Sequence, residues 1–368
     1  MTALRLLISG GGTGGHLFPA IATAEELLKR SPESQVFFLG SGRKIDTLAL
    51  STHGFAGAAI DSFAFKGVTL SGKFKAIFAV PKSIFQAIGH IRRFRPDVVL
   101  GVGGYVTGPV LAAAKLIGIP TVIHEQNSAP GMANRLLGRF VTKVCLSLPE
   151  SSRYFPAKKS VLTGNPVRES IALLASEKRE EEPIPARPTL LVLGGSQGAR
   201  ALNQLVADAF CDAAKAGLSG IGLIHQTGKD DEEAIRKRYA EHGVEAEVAA
   251  FFTDMGAVYR RADFCLSRAG ATTLAELAIV GLPAILVPYP HATDNHQERN
   301  GNYYVQGGGA WMFKQDELTA ASLAAHILAL SGDAARLWAM RRSMRLLAQP
   351  GAAKMIADIC FQAAERSK

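Results

Sequence analysis

A short apolar run, Ala3-Leu4-Arg5-Leu6-Leu7-Ile8, leads directly into Ser9-Gly10-Gly11-Gly12-Thr13-Gly14-Gly15-His16, after which Leu17, Ile21, Ala24 and Leu28 recur at helical spacing. The pattern predicts a buried strand, a glycine turn and a helix. Glycine lets the backbone take positive φ and come close to a ligand, because no Cβ stands in the way. A helix N-terminus adds unpaired N–H groups and partial positive charge, which suit a phosphate. Pro19 is expected in the first turn, where its missing N–H costs nothing. The same order recurs at Thr189-Leu190-Leu191-Val192-Leu193, Gly194-Gly195-Ser196-Gln197-Gly198-Ala199 and the apolar face Leu202, Leu205, Val206, Ala209. Two such openings in a chain of 368 residues predict a pair of similar α/β folds.

Between the two openings, strand-like runs at 3–8, 35–40, 56–61, 97–102, 120–123 and 141–146 alternate with helical stretches. This alternation predicts a parallel sheet with helices on both faces, whose ligands sit at the C-terminal strand ends. A charged, Pro-rich loop at 177–188 precedes the second unit.

Several polar groups fall where strands end. Gly101-Val102-Gly103-Gly104-Tyr105 is a further strand-to-helix glycine turn, and His124-Glu125-Gln126-Asn127 closes the next strand. Leu162-Thr163-Gly164-Asn165-Pro166-Val167-Arg168 reads as a domain exit, with Arg168 able to reach a phosphate, a carbonyl or a surface acid. Ser196 can donate a hydroxyl to a phosphate. Ser267-Arg268-Ala269-Gly270 opens a helix at Ala271-Thr272-Thr273, and Glu276 lies inside it. A carboxylate there can accept from the two hydroxyls of a ribose, or simply favour the positive helix end. His291 and His296 lack a third ligand at a fixed spacing and do not read as a metal site.

Charge and composition narrow the classes. The net charge is +9, and residues 1–165 hold 19 Lys/Arg against 8 Asp/Glu. Within them, 62–96 carries Lys66, Lys73, Lys75, Lys82, Arg92, Arg93 and Arg95 and no acid. Phe65, Phe74 and Phe78 interleave with those lysines, so the stretch fits either a peripheral membrane contact or an amphipathic helix with a solvated basic face. There is no export signal and no apolar run of membrane-span length. The four scattered cysteines read as thiols of a reducing compartment. A nicotinamide enzyme is disfavoured because no acid follows the second strand before Asp46. A nucleic-acid binder lacks a recognisable module, and its glycine turns would go unexplained.

Six motifs in order, Gly11-Gly12-Thr13-Gly14-Gly15-His16, Gly103-Gly104-Tyr105, His124-Glu125-Gln126-Asn127, Gly164-Asn165-Pro166-Val167-Arg168, Gly194-Gly195-Ser196-Gln197-Gly198-Ala199 and Ser267-Arg268-Ala269-Gly270, resemble the MurG family of bacterial cell-wall glycosyltransferases. The resemblance runs from about residue 5 to 345. It implies a GT-B architecture, two Rossmann-like domains facing across a deep cleft. Residues 1–165 would form the acceptor and membrane domain, 166–345 the donor domain, and 346–368 a helix returning to the first. The implied activity is inverting transfer of N-acetylglucosamine from UDP-N-acetylglucosamine to the C4 hydroxyl of the muramoyl sugar of lipid I. The product is lipid II, and no metal or other cofactor is implied. Donor contacts carried over are Thr13, Gly14, Gly15 and Asn127, then Arg168, Ser196, Phe252, Ala271, Thr272, Thr273, Leu274, Ala275, Glu276 and Gln297. Phe252 departs from the aliphatic residue common there. His16 is the first choice for the base and Glu125 the second, with an orienting role as its alternative.

The lipid acceptor turns Phe65, Lys66, Lys73, Phe74, Lys75, Phe78 and Lys82 into the expected contact with an anionic membrane. The implied location is peripheral, on the cytoplasmic face of the bacterial inner membrane, in the company of other cell-wall synthesis proteins and without nucleic acid. A diacylglycerol glycosyltransferase or a UDP-sugar epimerase of the same fold is the alternative, separable by an acceptor screen.

Overall fold

The computed structural model describes residues 3–11, 14–43, 50–61, 70–177, 182–195, 198–211 and 217–365, with backbone alone over 70–79. It groups into two units, Met1–Arg168 with Pro350–Lys368, and Glu169–Gln349.

Among its described residues, the first unit holds a parallel sheet in the order β3-β2-β1-β4-β5-β6-β7. The strands are β1 Arg5–Ser9, β2 Gln35–Gly40, β3 Ala56–Ala59, β4 Val98–Gly101, β5 Thr121–Glu125, β6 Lys143–Leu146 and β7 Ser160–Leu162. Strands buried on both faces read as continuous apolar runs, and alternate residues of β1 serve opposite cores. Leu6 and Ile8 pack with Leu17, Ile21, Ala24 and Leu27 of the helix Gly14–Arg30 and with Ile356, Cys360 and Phe361 of the helix Ala352–Glu365. Leu7 packs on the other side with Ala87, Ile91, Val110 and Leu111. Each such fully buried aliphatic side chain contributes about 1.5–3 kcal/mol. An ion pair, Arg30 to Asp358 at 2.5 Å, fastens the returning C-terminal helix to the first one.

Pro19 is not in the first turn. The helix begins at Gly14, so Pro19 is its sixth residue and removes the N–H that would reach the Gly15 carbonyl. The Thr23 hydroxyl donates to the Pro19 carbonyl at 2.8 Å, securing the following turn.

The second unit repeats the plan, with strand order β10-β9-β8-β11-β12-β13. These are β8 Thr189–Leu193, β9 Gly222–Gln226, β10 Ala246–Ala249, β11 Phe264–Ser267, β12 Ala284–Leu286 and β13 Ala310–Met312. Leu190 and Val192 meet Leu202, Val206 and Phe210 of the helix Arg200–Cys211 in its core. In both units the chain starts in the middle of the sheet and reverses direction beside its first strand, at β1/β4 and at β8/β11. Open α/β sheets bind ligands outside the carboxyl ends of strands at such switch points.

Candidate active site

At the first switch point the glycine turns after β1 and β4 lie backbone against backbone. A Cβ on Gly104 would stand 2.8 Å from the Gly11 carbonyl oxygen, and Gly104 has φ +89°. A Cβ on Gly10 would strike Val102 Cγ2 at 2.2 Å. The Thr107 hydroxyl lies 2.8 Å from the Gly103 carbonyl and 3.1 Å from that of Ser9, stapling the two strand ends. His16, on the first turn of the helix Gly14–Arg30, rests against bare backbone. A Cβ on Gly103 would be 2.8 Å from its Cε1 and 2.9 Å from its Nδ1.

The end of β5 completes this site. His124, Glu125 and Gln126 are all buried. Gln126 Nε2 donates to the Val102 carbonyl at 2.8 Å and lies 3.2 Å from His124 Nδ1, while Gln126 Oε1 is 3.2 Å from His16 Nδ1. His124 Nε2 contacts Ser147 Oγ at 2.9 Å and the Gly164 carbonyl at 3.2 Å. Burial pushes the His124 imidazole down to about 4, so it is neutral near pH 7. Glu125 is pinned differently. Its Oε1 accepts from the Asn127 N–H at 2.9 Å, and its Oε2 accepts from Asn134 Nδ2 at 2.8 Å. Burial raises its carboxyl, and these donors pull the other way. Arg168 closes the unit with its guanidinium 5.6 Å from the centroid of the Phe18 ring.

The second switch point belongs to the second unit. A Cβ on Gly198 (φ +75°) would meet the Thr227 carbonyl at 2.4 Å, so this turn lies on the end of β9. Beneath it, Asn203 Nδ2 donates to the Thr227 carbonyl at 2.7 Å and to Asp231 Oδ2 at 2.8 Å. Asn203 Oδ1 faces His225 Nε2 at 3.2 Å, and His225 Nδ1 is 2.9 Å from the Tyr239 hydroxyl. Gln226 Oε1 accepts from the Phe252 N–H at 3.1 Å.

Beside it, Gly270 is the N-cap of the helix Ala271–Val280 and brings no capping side chain of its own. A helix N-terminus of this kind, with Thr272 and Thr273 in its first turn, suits an anion. Leu274 is fully buried, which leaves only its backbone for a ligand. Glu276 is 7 % exposed, and the Tyr259 hydroxyl donates to its Oε2 at 2.8 Å. Buried Arg268 donates to the Val287 carbonyl at 3.0 Å and to Gln315 Oε1 at 2.6 Å, joining the ends of β11 and β12. Gln297, at the start of the helix His296–Gln306, accepts from the Tyr289 N–H at 2.9 Å.

Of the residues singled out from sequence, Thr13, Ser196, Phe65 and Lys66 lie outside the described residues. Gly14, Gly15, His16, Glu125 and Asn127 gather at the first switch point. Ala271 to Glu276 gather at the second. Lys73, Phe74, Lys75 and Phe78 fall in the helix Leu70–Phe94, where their side chains lie outside the described set. Lys82 pairs with Asp61 at 2.7 Å. Asn134, Gln226 and Tyr259 carry no local signal. Each reaches its partner only through the fold.

Comparison with known proteins follows the same division. Residues 6–146 match the glycosyltransferase family 28 N-terminal domain, and 189–358 match the family 28 C-terminal domain. The chain is 51 % identical over 364 residues to a protein of Desulfotalea psychrophila, covering 99 % of this chain and 98 % of that one. A protein of Myxococcus xanthus is 43 % identical over 359 residues, 97 % of this chain and 92 % of its own. Both bear the name UDP-N-acetylglucosamine–N-acetylmuramyl-(pentapeptide) pyrophosphoryl-undecaprenol N-acetylglucosamine transferase. The crystal structure of Acinetobacter baumannii MurG superposes with a TM-score of 0.78 at 31 % identity, covering 98 % of this chain and 99 % of that one.

Proposed function

The chain belongs to glycosyltransferase family 28, and from that premise we infer that it transfers N-acetylglucosamine from UDP-N-acetylglucosamine to undecaprenyl-pyrophosphoryl-N-acetylmuramoyl-pentapeptide, forming lipid II. One observation carries this reading: 51 % identity over 364 residues, covering 99 % of this chain and 98 % of the relative.

The chemistry is direct displacement at the anomeric carbon. The C4 hydroxyl of the muramoyl sugar loses its proton as its oxygen attacks, and the bond to UDP breaks with its electron pair on the phosphate oxygen. Attack from the opposite face inverts the α-linked donor to a β-linked product. His16 is suited to take the proton, since its imidazole stands at a strand-end turn. Glu125 is suited to orienting, because both its oxygens are occupied by Asn127 and Asn134. The leaving diphosphate gathers negative charge. In the second unit, the N-terminus of the helix Ala271–Val280 is suited to stabilise it. Glu276, steadied by Tyr259, accepts from the ribose hydroxyls. The Phe252 backbone, with its N–H given to Gln226, reads the uracil edge through its carbonyl. Gln297, also in the second unit, is the proposed contact to the sugar.

A polyprenyl-linked acceptor requires access to a bilayer surface, and the first unit carries a fitting face. Its helix Leu70–Phe94 packs on the helix Thr107–Leu116, which in turn packs on Met132–Leu137. These elements expose Phe85, Leu116, Leu136 and the following Phe140, with Arg92, Arg93, Lys115 and Arg139 also exposed. Exposed apolar side chains and cations on neighbouring elements fit peripheral attachment to an anionic leaflet. No helix of the described residues is long and apolar enough to cross a membrane. We place the enzyme on the cytoplasmic face, where UDP-sugars are available.

The decisive experiment measures UDP release from UDP-N-acetylglucosamine, with and without a lipid I analogue, in the presence of EDTA. Acceptor-dependent release with a β-linked disaccharide formed is expected. Release with diacylglycerol instead, or conversion of the UDP-sugar alone, would move the function within the fold.

A further inference from the structure

The His16 imidazole ends a chain of polar contacts whose direction is set by two backbone carbonyls. The Val102 carbonyl can only accept, so the Gln126 atom 2.8 Å from it is the amide nitrogen. The Gly164 carbonyl, 3.2 Å from His124 Nε2, can also only accept, so that nitrogen carries a hydrogen. Ser147 stands 2.9 Å from the same nitrogen and passes its own hydrogen toward Gly164 at 3.4 Å, which is consistent. Buried His124 is held neutral, its imidazole pushed down to about 4. Its Nδ1 therefore has a lone pair, which takes the second amide hydrogen of Gln126 at 3.2 Å. The carboxamide oxygen is then turned to His16 Nδ1, also 3.2 Å away. An amide oxygen cannot donate, so His16 Nδ1 must.

We propose that Gln126 is a positioning residue for the transfer: it fixes the hydrogen of the His16 imidazole on Nδ1, leaving the lone pair on Nε2 for the acceptor hydroxyl. The inference rests on the reading of His16 as the proton acceptor. It adds a reason for the glycine at 103, whose missing Cβ lets the ring lie flat enough to reach Gln126. The second nitrogen of a catalytic imidazole commonly needs such a partner to hold tautomer and angle. Here the partner is a neutral amide rather than a carboxylate, so it selects the tautomer without stabilising the imidazolium by charge. Among the described residues, the titratable groups at the end of β5 beside His16 are His124 and Glu125. Glu125 directs its oxygens to Asn127 and Asn134, and the glycine turns at 9–15 and 101–104 carry no titratable side chain.

The test labels the histidines of the full-length protein with 15N and reads the His16 ring by NMR, with His16→Ala as the assignment control. UDP release with the lipid I analogue is measured in parallel. Wild-type neutral His16 should carry its hydrogen on Nδ1. In Gln126→Leu the hydrogen should move toward Nε2, and kcat should fall about 10- to 100-fold with KM for UDP-N-acetylglucosamine unchanged. That is less than the roughly 10²- to 10⁴-fold expected for loss of the base in His16→Ala. In Gln126→Glu a carboxylate faces the Nδ1 hydrogen and favours the imidazolium, so the acid limb of the kcat/KM profile should move to higher pH. A wild-type His16 with its hydrogen on Nε2 would overturn the proposal. So would unchanged kcat and pH profile in both Gln126 variants while His16→Ala is inactive. Full turnover by His16→Ala is a different failure, removing His16 from proton transfer and the premise with it.

Discussion

Alanine at position 103 adds one carbon to the wall of the first site, and the geometry sets what it does. The new Cβ would lie 2.8 Å from His16 Cε1 and 2.9 Å from Nδ1. Carbon atoms settle at about 3.5–4.0 Å, so the ring must retreat by roughly 0.7 Å. His16 Nδ1 is already 3.2 Å from Gln126 Oε1, so a shift of that size away from Gln126 takes the pair outside hydrogen-bond range. Position 103 also has φ +106°, a conformation costing an alanine about 1–3 kcal/mol. Gly103→Ala should therefore unfold at lower urea, by about 1–3 kcal/mol, and lose turnover on the order of 100-fold, as misplacements near 1 Å do. UDP-N-acetylglucosamine should bind as before, because the contacts proposed for it lie mainly in the other unit. Gly108→Ala is the control. That residue lies in the helix Thr107–Leu116 with no atom within 4 Å of the added Cβ, so it should be neutral or stabilised by up to about 1 kcal/mol. Urea titration followed by steady-state UDP release separates the two effects. A Gly103→Ala enzyme with normal kcat, while His16→Ala is inactive, would refute the placement of the imidazole against this turn.

Tyr259→Phe removes the hydroxyl that holds Glu276 and should raise KM for the UDP-sugar about 10-fold at constant kcat, as hydrogen bonds to charged groups contribute about 1.5–3 kcal/mol. A donor lacking the ribose 2′-hydroxyl should feel the change less; equal losses with both donors would disconnect Glu276 from the ribose. Burial pushes His124 down to about 4 and His225 to about 3, so the unfolded chain takes those protons first, near 6.5. Their contribution is complete above 6.5 and is lost as the pH falls toward each folded value, about 3 kcal/mol for His124; His225→Gln should flatten the fall in urea midpoint, and an unchanged slope would count against it. Phe85→Ser with Leu116→Ser, at 74 % and 71 % exposure, should leave stability within about 0.5 kcal/mol yet weaken sedimentation with anionic vesicles. Equal vesicle binding by variant and wild type would remove this face from the membrane contact.

The glycine turns were legible from sequence because their requirement is local. A backbone that must approach another backbone, as Gly104 approaches Gly11, tolerates no side chain whatever the remainder of the chain does. The strand Thr189–Leu193 was legible as a continuous apolar run, whereas the helix Ala352–Glu365 was expected only from the family resemblance. Short outer strands such as Ser160–Leu162 and Ala310–Met312 were not, because three residues hold no period and their pairing is set by the neighbouring strand. The position of Pro19 was misjudged because a glycine-rich start gives no cap to mark where the helix begins.

Support for the functional side chains is the least local feature of all. Tyr259 is 17 residues from Glu276, and Gln126 is 24 from the carbonyl that sets its orientation. The two units share one topology and differ in these supports. In the first, a turn lies on a turn and an amide aims an imidazole, which suits moving a proton. In the second, a turn lies on a strand end above the Asn203 network while a helix with glycine at its N-cap starts beside it, which suits holding a charged nucleotide. Sheet order alone predicts where both sites fall. It does not distinguish the site proposed for chemistry from the one proposed for binding, and that difference lies in groups brought together over 17 to 110 residues of chain.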